Sequence, residues 1–336
     1  MIRLFQQGDA EQINSLYQRV FGKTRSIAEW EWKFQRLSSP PAIIIVAEEE
    51  GEIVGHAACL KIEACYRGKT LLLAERVDIM VDPAFQGRGI YKKIVARMLE
   101  ECESQNIDIV YGFPAPKAKD IFLSAAKADD LGNVPRFLAV NKPGTLISTK
   151  KEQLSFLKEP ADKLYSVLRR KKTPYHLREL GPADLQLVDE LYERYAGSYP
   201  LHAKRGSDYV KRRYLDHPER DYRVYALSAT QEDYGYVVLH KETAADGITF
   251  ETIVDLWGPS DSHQLSIMLR AIRSHSQADA MNVWAVKDSA RYEALKKAGF
   301  FHINSPMPFV IKTFNSQVEA GKMAGWHLSQ SDVDSY

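Results

Sequence analysis

The sequence predicts an α/β protein of two tandem domains, each a mixed, mostly antiparallel sheet flanked by helices. Three observations lead there. Leu71–Ala96 reads as a strand, a short glycine loop and a helix. Two β-rich runs, Ala42–Ala47 and Ile53–Ile62, precede it and are joined by Glu48-Glu49-Glu50-Gly51-Glu52, a hairpin signal. The same order of elements then recurs roughly 180 residues later. At 336 residues the chain is also long for a single core.

Taken in order, Ile2-Arg3-Leu4 reads as a short strand, and Asp9 as the N-cap of a helix carrying Ile13, Leu16, Tyr17 and Val20 at helical spacing, with Gly22 just past its end. Ser26 caps a second short helix with Trp30, Trp32, Lys33 and Phe34, closed by Pro40-Pro41. After the hairpin, Tyr66-Arg67-Gly68-Lys69 turns the chain into Leu71–Val81. Pro83 cannot donate to a sheet ladder, so that strand stops there. Gln86-Gly87-Arg88-Gly89 forms the loop, and Ile90, Ile94, Val95, Met98 and Leu99 form the apolar stripe of the next helix. Ile107–Phe113 is a further strand, Asp120–Lys127 a helix, and Arg136–Val140 a strand that closes the unit.

A glycine loop opening a helix aims bare backbone N–H groups along the favourable end of the helix dipole, which suits a phosphate or diphosphate. Gly89-Ile90-Tyr91 excludes a Walker A loop, which needs Gly-Lys-Ser/Thr, and two glycines after a hairpin fall short of the Rossmann fingerprint. Val81-Asp82-Pro83 with Gln86 and Gly89 resembles motif A of the GNAT superfamily of N-acyltransferases, Gln/Arg-x-x-Gly-x-Gly/Ala. Tyr91 departs from it, standing where the family has a small residue. Over residues 1–142 the order β-α-α-β-β-β-α-β-α-β is that of the family, and Tyr111-Gly112-Phe113-Pro114 resembles the fifth-strand end of a bacterial subgroup. Ala115 replaces that subgroup's asparagine, and no tyrosine lies between Lys117 and Gly132 to protonate a leaving thiolate.

The resemblance implies acyl-CoA, with acetyl-CoA the first expectation, as co-substrate and no metal. It places the acyl-CoA contacts at Ile79, Met80, Val81, Gln86, Gly87, Arg88, Gly89, Ile90 and Tyr91. It also puts a general base at Glu75, with Asp78 in reserve on the opposite face unless a bulge, typical of the superfamily, intervenes. A carboxylate amid Leu71-Leu72-Leu73-Ala74 and Val77 sits in a partly desolvated strand, where burial raises its pKa toward the working range. The other reading of Glu75 is an ion pair with Arg76 or with a neighbouring strand. Trp30 and Trp32 either pack in a core or line the acceptor pocket, which that helix borders in the family; His56 reads as a satisfied strand histidine.

Lys142-Pro143-Gly144 breaks the chain, and residues 143–173 read as a mostly helical linker in which Pro160 separates two short helices. Residues 174–314 repeat the plan. Asp184–Tyr195 and Ser207–Leu215 are helices, Tyr222–Leu227 and Tyr234–His240 a hairpin, Ile248–Trp257 the counterpart of the loop-bearing strand, His263–His275 a helix and Met281–Val286 a strand. Asp288–Phe300 resembles motif B of the same superfamily. This copy lacks the Gln/Arg-x-x-Gly loop, having Trp257-Gly258-Pro259-Ser260 instead, so it reads as a degenerate partner. Within the tail, residues 315–336, Asn315–Trp326 docks and Ser329–Tyr336 frays.

Composition limits the rest. With 45 basic and 44 acidic residues there is no global field for nucleic acid. No run approaches the roughly 18 apolar residues of a membrane span, and no signal segment opens the chain. Cys59, Cys65 and Cys102 have no metal spacing. The expectation is a cytoplasmic N-acyltransferase that carries an acyl group from acyl-CoA to a primary amine of a small molecule. The alternatives are a non-catalytic acyl-CoA sensor or scaffold and a Fem-type transferase using aminoacyl-tRNA; acceptor and oligomeric state are open.

Overall fold

The computed structural model describes every residue except 39, 151–157, 170–171, 305–306 and 335–336, and the side chains of 117, 150, 168 and 169 also lie outside the description. The first half runs β1 (Ile2–Leu4), α1 (Asp9–Phe21), α2 (Ile27–Glu31), β2 (Ile43–Glu49), β3 (Glu52–Tyr66), β4 (Lys69–Val81), α3 (Ile90–Ser104), β5 (Ile109–Gly112), α4 (Pro116–Ala126), β6 (Asp129–Asn133) and β7 (Arg136–Val140). Helices α5 (Pro143–Lys150) and α6 (Lys158–Arg169) follow. The second half runs β8 (His176–Leu180), α7 (Leu185–Ala196), β9 (Leu201–Ala203), α8 (Ser207–Val210), β10 (Tyr222–Ala229), β11 (Glu232–Thr243), β12 (Thr249–Trp257), α9 (Ser262–His275), β13 (Ala280–Trp284), α10 (Ala290–Lys297), β14 (Phe301–Ile303) and β15 (Pro308–Thr313).

Local chemistry explains the boundaries. Ser26 caps α2 as expected, its hydroxyl accepting the Glu29 amide at 3.0 Å. Asp9 does not cap α1: Gly8 does, in the left-handed region at φ 103°, and the Asp9 carboxylate accepts the Gln6 amide and the Arg3 guanidinium instead. α4 starts at Pro116 and α5 at Pro143, earlier than the pattern suggests, because proline fixes the first helical φ and its missing N–H is not needed there. Of the linker, α5 and α6 are described; Pro160 does not separate them but sits in the first turn of α6, and residues 151–157 lie outside the described residues. After α2 and again after α8 the chain widens into a π-helical turn, Trp32–Arg36 and Lys211–Leu215.

The strands build two mixed, mostly antiparallel sheets, each flanked by helices. The first has the order β1-β2-β3-β4-β5-β15-β6, with β9 added against β3; the second has the order β14-β7-β13-β12-β11-β10-β8. Two strands are therefore exchanged. Arg136–Val140 does not close the first sheet; Phe137 and Ala139 pair with Val283 and Met281 and enter the second core. In return β15 lies between β5 and β6, with Val310 opposite Gly112. Phe309 and Ile311 face one core of the first sheet and Val310 the other, the two-sided burial of an interior strand.

The tail also differs from expectation. Ser329, Gln330, Ser331 and Asp332 are buried, because Arg205 donates to Ser329 Oγ at 3.2 Å, to Ser331 Oγ at 3.0 Å and to the Asp332 carboxylate at 2.6 Å. Val333 packs beside Trp326 and Leu328. The described part of the segment is a strap between the domains; 335–336 lie outside the described residues.

Candidate functional site: a strand fork beside a glycine loop

Strand β4 leaves its parallel neighbour part-way along. Leu73, Ala74 and Glu75 pair with Ile109, Val110 and Tyr111, after which β5 ends and β4 runs on to Val81. Pairing with β3 jumps from Ala58–Val77 to His56–Met80, so Asp78 and Ile79 form a bulge, with Asp78 at φ 47°. His56 Nδ1 lies 2.7 Å from the Asp78 carbonyl. Burial pulls the His56 pKa down to about 4, so the ring is neutral and its Nδ1–H donates, which holds the bulge. The fork opens a cleft of 420 Å³ bounded by Tyr17 on α1, Arg76 to Ile79 on β4, and Pro114, Ala115 and Ala118 beyond β5.

The loop follows β4, the strand that forms one wall of that cleft. Asp82 accepts the Ala84 amide at 2.9 Å, and Gln86 reaches back to the Val81 carbonyl at 3.4 Å. Gly87 and Gly89 take φ of 80° and 77°, and a Cβ at either would meet nothing within 4 Å. No side chain caps α3, and the amides of Arg88, Gly89, Ile90 and Tyr91 have no partner among the described residues. Those donors, at the start of a 15-residue helix, have the geometry of an anion seat. Arg88 is exposed beside it, its guanidinium over Phe85. Of the remaining loop-side positions, Ile79 borders the cleft, whereas Met80 and Val81 are buried in the cores on opposite faces of β4.

Tyr91 does not turn back into the seat. Its hydroxyl accepts from Arg76 Nη2 at 3.0 Å and donates to the Ala118 carbonyl at 3.5 Å, spanning the first turns of α3 and α4. α4 itself carries Phe122 and no tyrosine.

Glu75 is 2 % exposed. Its Oε1 accepts the Asp334 amide at 2.8 Å, so the strap is part of its surroundings. Burial first, then the negative charge of Asp334, push its pKa well above the ordinary carboxylate range, against opposing pulls from Arg213 and Lys33. Arg76 is not its ion-pair partner: alternation along β4 sends that side chain to the α3–α4 face. Besides the fork cleft, Glu75 borders a second cavity of 320 Å³, between the domains, with Leu60, Lys61, Asp189, Tyr209 and Arg213.

Asp78 is engaged on both oxygens, with Arg25 at 2.5 Å and Lys33 at 2.9 Å. Burial disfavours its charge, but Lys33 and Arg25 outweigh that and hold its pKa below the usual range. Lys33 also meets Asp334 at 2.6 Å. Trp30 is fully buried between Phe5 and Phe34, each ring 5.2 Å away. Trp32 donates its indole N–H to the Arg212 carbonyl at 2.8 Å and rests on His217, at the domain boundary. Neither tryptophan lines the two cavities that meet at Glu75. Tyr17, Arg213 and Asp334, which do meet the site or its carboxylate, carry no motif; Arg213 and Asp334 come from the other half of the chain. Among the described residues no group of three metal-ligating side chains comes together, and no helix is long and apolar enough to cross a membrane.

The second sheet repeats the fork without the seat. Asp255, beside a bulge of β12, pairs with Arg205 as Asp78 pairs with Arg25, and Arg213 follows α8 as Lys33 follows α2. Beyond Trp257 the chain enters α9 through Asp261, whose carboxylate takes the Gln264 amide at 2.7 Å. That helix start is thus capped from within.

The two mixed, mostly antiparallel sheets, each flanked by helices, are consistent with the fold of the GCN5-related N-acetyltransferases. Residues 1–119 match the sequence profile of an acetyltransferase (GNAT) domain. Among solved structures, a GCN5-related N-acetyltransferase from Anabaena variabilis aligns over 93% of this chain and 72% of its own, with 13% identity and a TM-score of 0.67. A conserved protein of unknown function from Enterococcus faecalis, described as a probable N-acyltransferase, aligns over 94% and 73%, with 11% identity and a TM-score of 0.65. A GCN5-related N-acetyltransferase from Kribbella flavida aligns over 94% and 73%, with 14% identity and a TM-score of 0.62. At these identities the likeness is one of fold. No curated protein matches the chain in sequence.

Proposed function

We propose that the chain is an acyl-CoA-dependent N-acyltransferase, working at the fork of the first sheet on a primary amine of a small molecule. The observation that carries this reading is the unengaged amide cluster of Arg88 to Tyr91 just beyond the end of β4, the strand that also borders the fork cleft and carries the buried carboxylate of Glu75. In it, the diphosphate of coenzyme A rests on those amides and the thioester lies along β4 toward the bulge. The amine approaches Glu75 from the cavity between the domains. Glu75, with its raised pKa, accepts the ammonium proton, which leaves a neutral nucleophile. The nitrogen attacks the thioester carbonyl, the C–S bond breaks, and the thiolate is protonated. The second domain, degenerate in its loop, supplies Arg213 and the strap as walls.

Calorimetric titration with coenzyme A, followed by release of free thiol from acetyl-CoA and longer acyl-CoAs with a panel of amines, tests this. Binding and amine-dependent thiol release are expected; no binding to any of these compounds ends the proposal. Tyr91 favours a second reading, an acyl-CoA sensor: its hydroxyl bridges the α3–α4 mouth, and α4 has no tyrosine to protonate sulfur. Binding without thiol release would select it.

A further inference from the structure

Arg76 is a buried cation with no anion. Its side chain is 8 % exposed, yet among the described residues no carboxylate pairs with it. Nη2 donates to the Tyr91 hydroxyl at 3.0 Å, the guanidinium carbon lies 3.9 Å from the centre of the Phe122 ring, and Nε is buried without a partner. Arg25 and Lys33 share Asp78, and Arg205 has Asp255 and Asp332; Arg291, like Arg76, has no carboxylate among the described residues, but it donates to the Leu256 carbonyl. A guanidinium removed from water without a counter-charge is costly, and an aromatic face plus one phenol does not replace a carboxylate.

The backbone is arranged to admit this side chain. Its stem crosses Gly112, where any Cβ would stand 2.3 Å from Arg76 Cγ, so only glycine at the end of β5 leaves room. Arg76 borders the fork cleft, one residue past the Glu75–Tyr111 pair where β4 and β5 part. From the amide seat inward, β4 passes Val81, Met80, Ile79 and the bulge before it reaches Arg76. A thioester held with its diphosphate on the loop therefore directs its acyl group toward this guanidinium.

We propose that Arg76 receives a carboxylate at the far end of the acyl group, so that the donor is a dicarboxylic acyl thioester of the succinyl or glutaryl class. This rests on the acyl-CoA reading above. The transfer forms one C–N bond and breaks one C–S bond, the amine proton ends on the thiol sulfur by way of Glu75 and solvent, and the distal carboxylate is unchanged. Arg76 binds that carboxylate in the starting complex, where its charge is already present, and the guanidinium fork suits it in a bidentate pair.

The test is calorimetric titration of the full chain with coenzyme A, butyryl-CoA, succinyl-CoA and glutaryl-CoA, since butyryl and succinyl groups share four carbons and differ in the terminal carboxylate. Succinyl- or glutaryl-CoA is expected to bind at least about tenfold more tightly than butyryl-CoA. Arg76→Gln should remove that preference, lowering the affinity for succinyl- and glutaryl-CoA about tenfold more than that for butyryl-CoA. The ligand-free variant should also melt at a higher temperature, because an uncompensated charge has gone; a structural role for Arg76 would lower it. Arg76→Lys, which keeps the charge, should retain part of the preference if the glutamine variant does not fold. Equal binding of butyryl- and succinyl-CoA, or an equal loss for both in Arg76→Gln, overturns the proposal while the acyl-CoA reading stands. Failure of coenzyme A itself to bind overturns both.

Discussion

Single residues on β4 divide the work of the site by face. Glu75 and Arg76 are adjacent in sequence, but strand alternation points one toward the cavity between the domains and the other toward α3 and α4. Glu75→Gln is expected to lower kcat by about 100-fold or more while the affinity for acyl-CoA is unchanged, because a base contributes on that order and the thioester does not rest on it. Steady-state kinetics with titrated acyl-CoA checks this; equal losses in both quantities would place Glu75 in binding instead. The same carboxylate sets the sign of the pH dependence. Its pKa is raised, and in the proposed mechanism its deprotonated form is the base, so kcat should climb with pH through that raised value and Glu75→Gln should flatten the climb. Asp78 does a different job. Held ionised between Arg25 and Lys33, it is a poor base and a good tie between the bulge and the helices on that face.

At the scale of elements, the bulge and the strap are each secured by a buried polar group whose charge state is decided by its surroundings. His56 is neutral in the folded chain, with its pKa lowered from 6.5 to about 4 by burial. A group whose folded pKa lies below its unfolded one stabilises above the unfolded value, so its contribution is complete above pH 6.5 and is lost as pH falls toward 4. The full shift corresponds to about 3 kcal/mol. Denaturant midpoints across that window should therefore fall with acidification, and His56→Asn, whose amide can replace the Nδ1 donor, should reduce the slope. A pH-independent midpoint in the wild type would contradict this. The strap depends on Arg205, fully buried between Asp255 and Asp332. Arg205→Met leaves two buried carboxylates unpaired and is expected to cost about 3–5 kcal/mol in a urea titration. It should also loosen the strap, whose amide at Asp334 holds Glu75.

For the whole molecule, the exchange of β7 and β15 makes the halves interdependent. A fragment of residues 1–142 lacks the strand that separates β5 from β6, which leaves an interior edge unpaired and part of two cores open. Such a fragment is expected to be unfolded or aggregated alone, and to recover native circular dichroism when co-expressed with residues 143–336. A well-folded, monomeric 1–142 fragment would show the exchange to be dispensable. The cavity at Glu75 has the same dependence, since Asp189, Tyr209 and Arg213 come from the second half.

What was readable in the sequence is what short-range rules govern. The glycine loop needed positive φ at Gly87 and Gly89, the hairpins needed their turn residues, and the amphipathic helices needed their spacing; each leaves a local pattern. The repeat was visible because both halves keep the same order of elements, down to the acid at each bulge, Asp78 and Asp255. The partner of each side chain was not readable. Whether Glu75 meets Arg76, whether Trp30 lines a pocket, and whether Ser329–Asp334 frays all depend on which elements pack together. Strand registry across several hundred residues leaves no local periodicity: β7 alternates in the same way whichever sheet it joins. By itself the sequence determined the loop, the strands and their doubling. Tertiary structure alone decided the exchange, the strap and the isolation of Arg76, because a buried charge is defined by what surrounds it rather than by its neighbours along the chain.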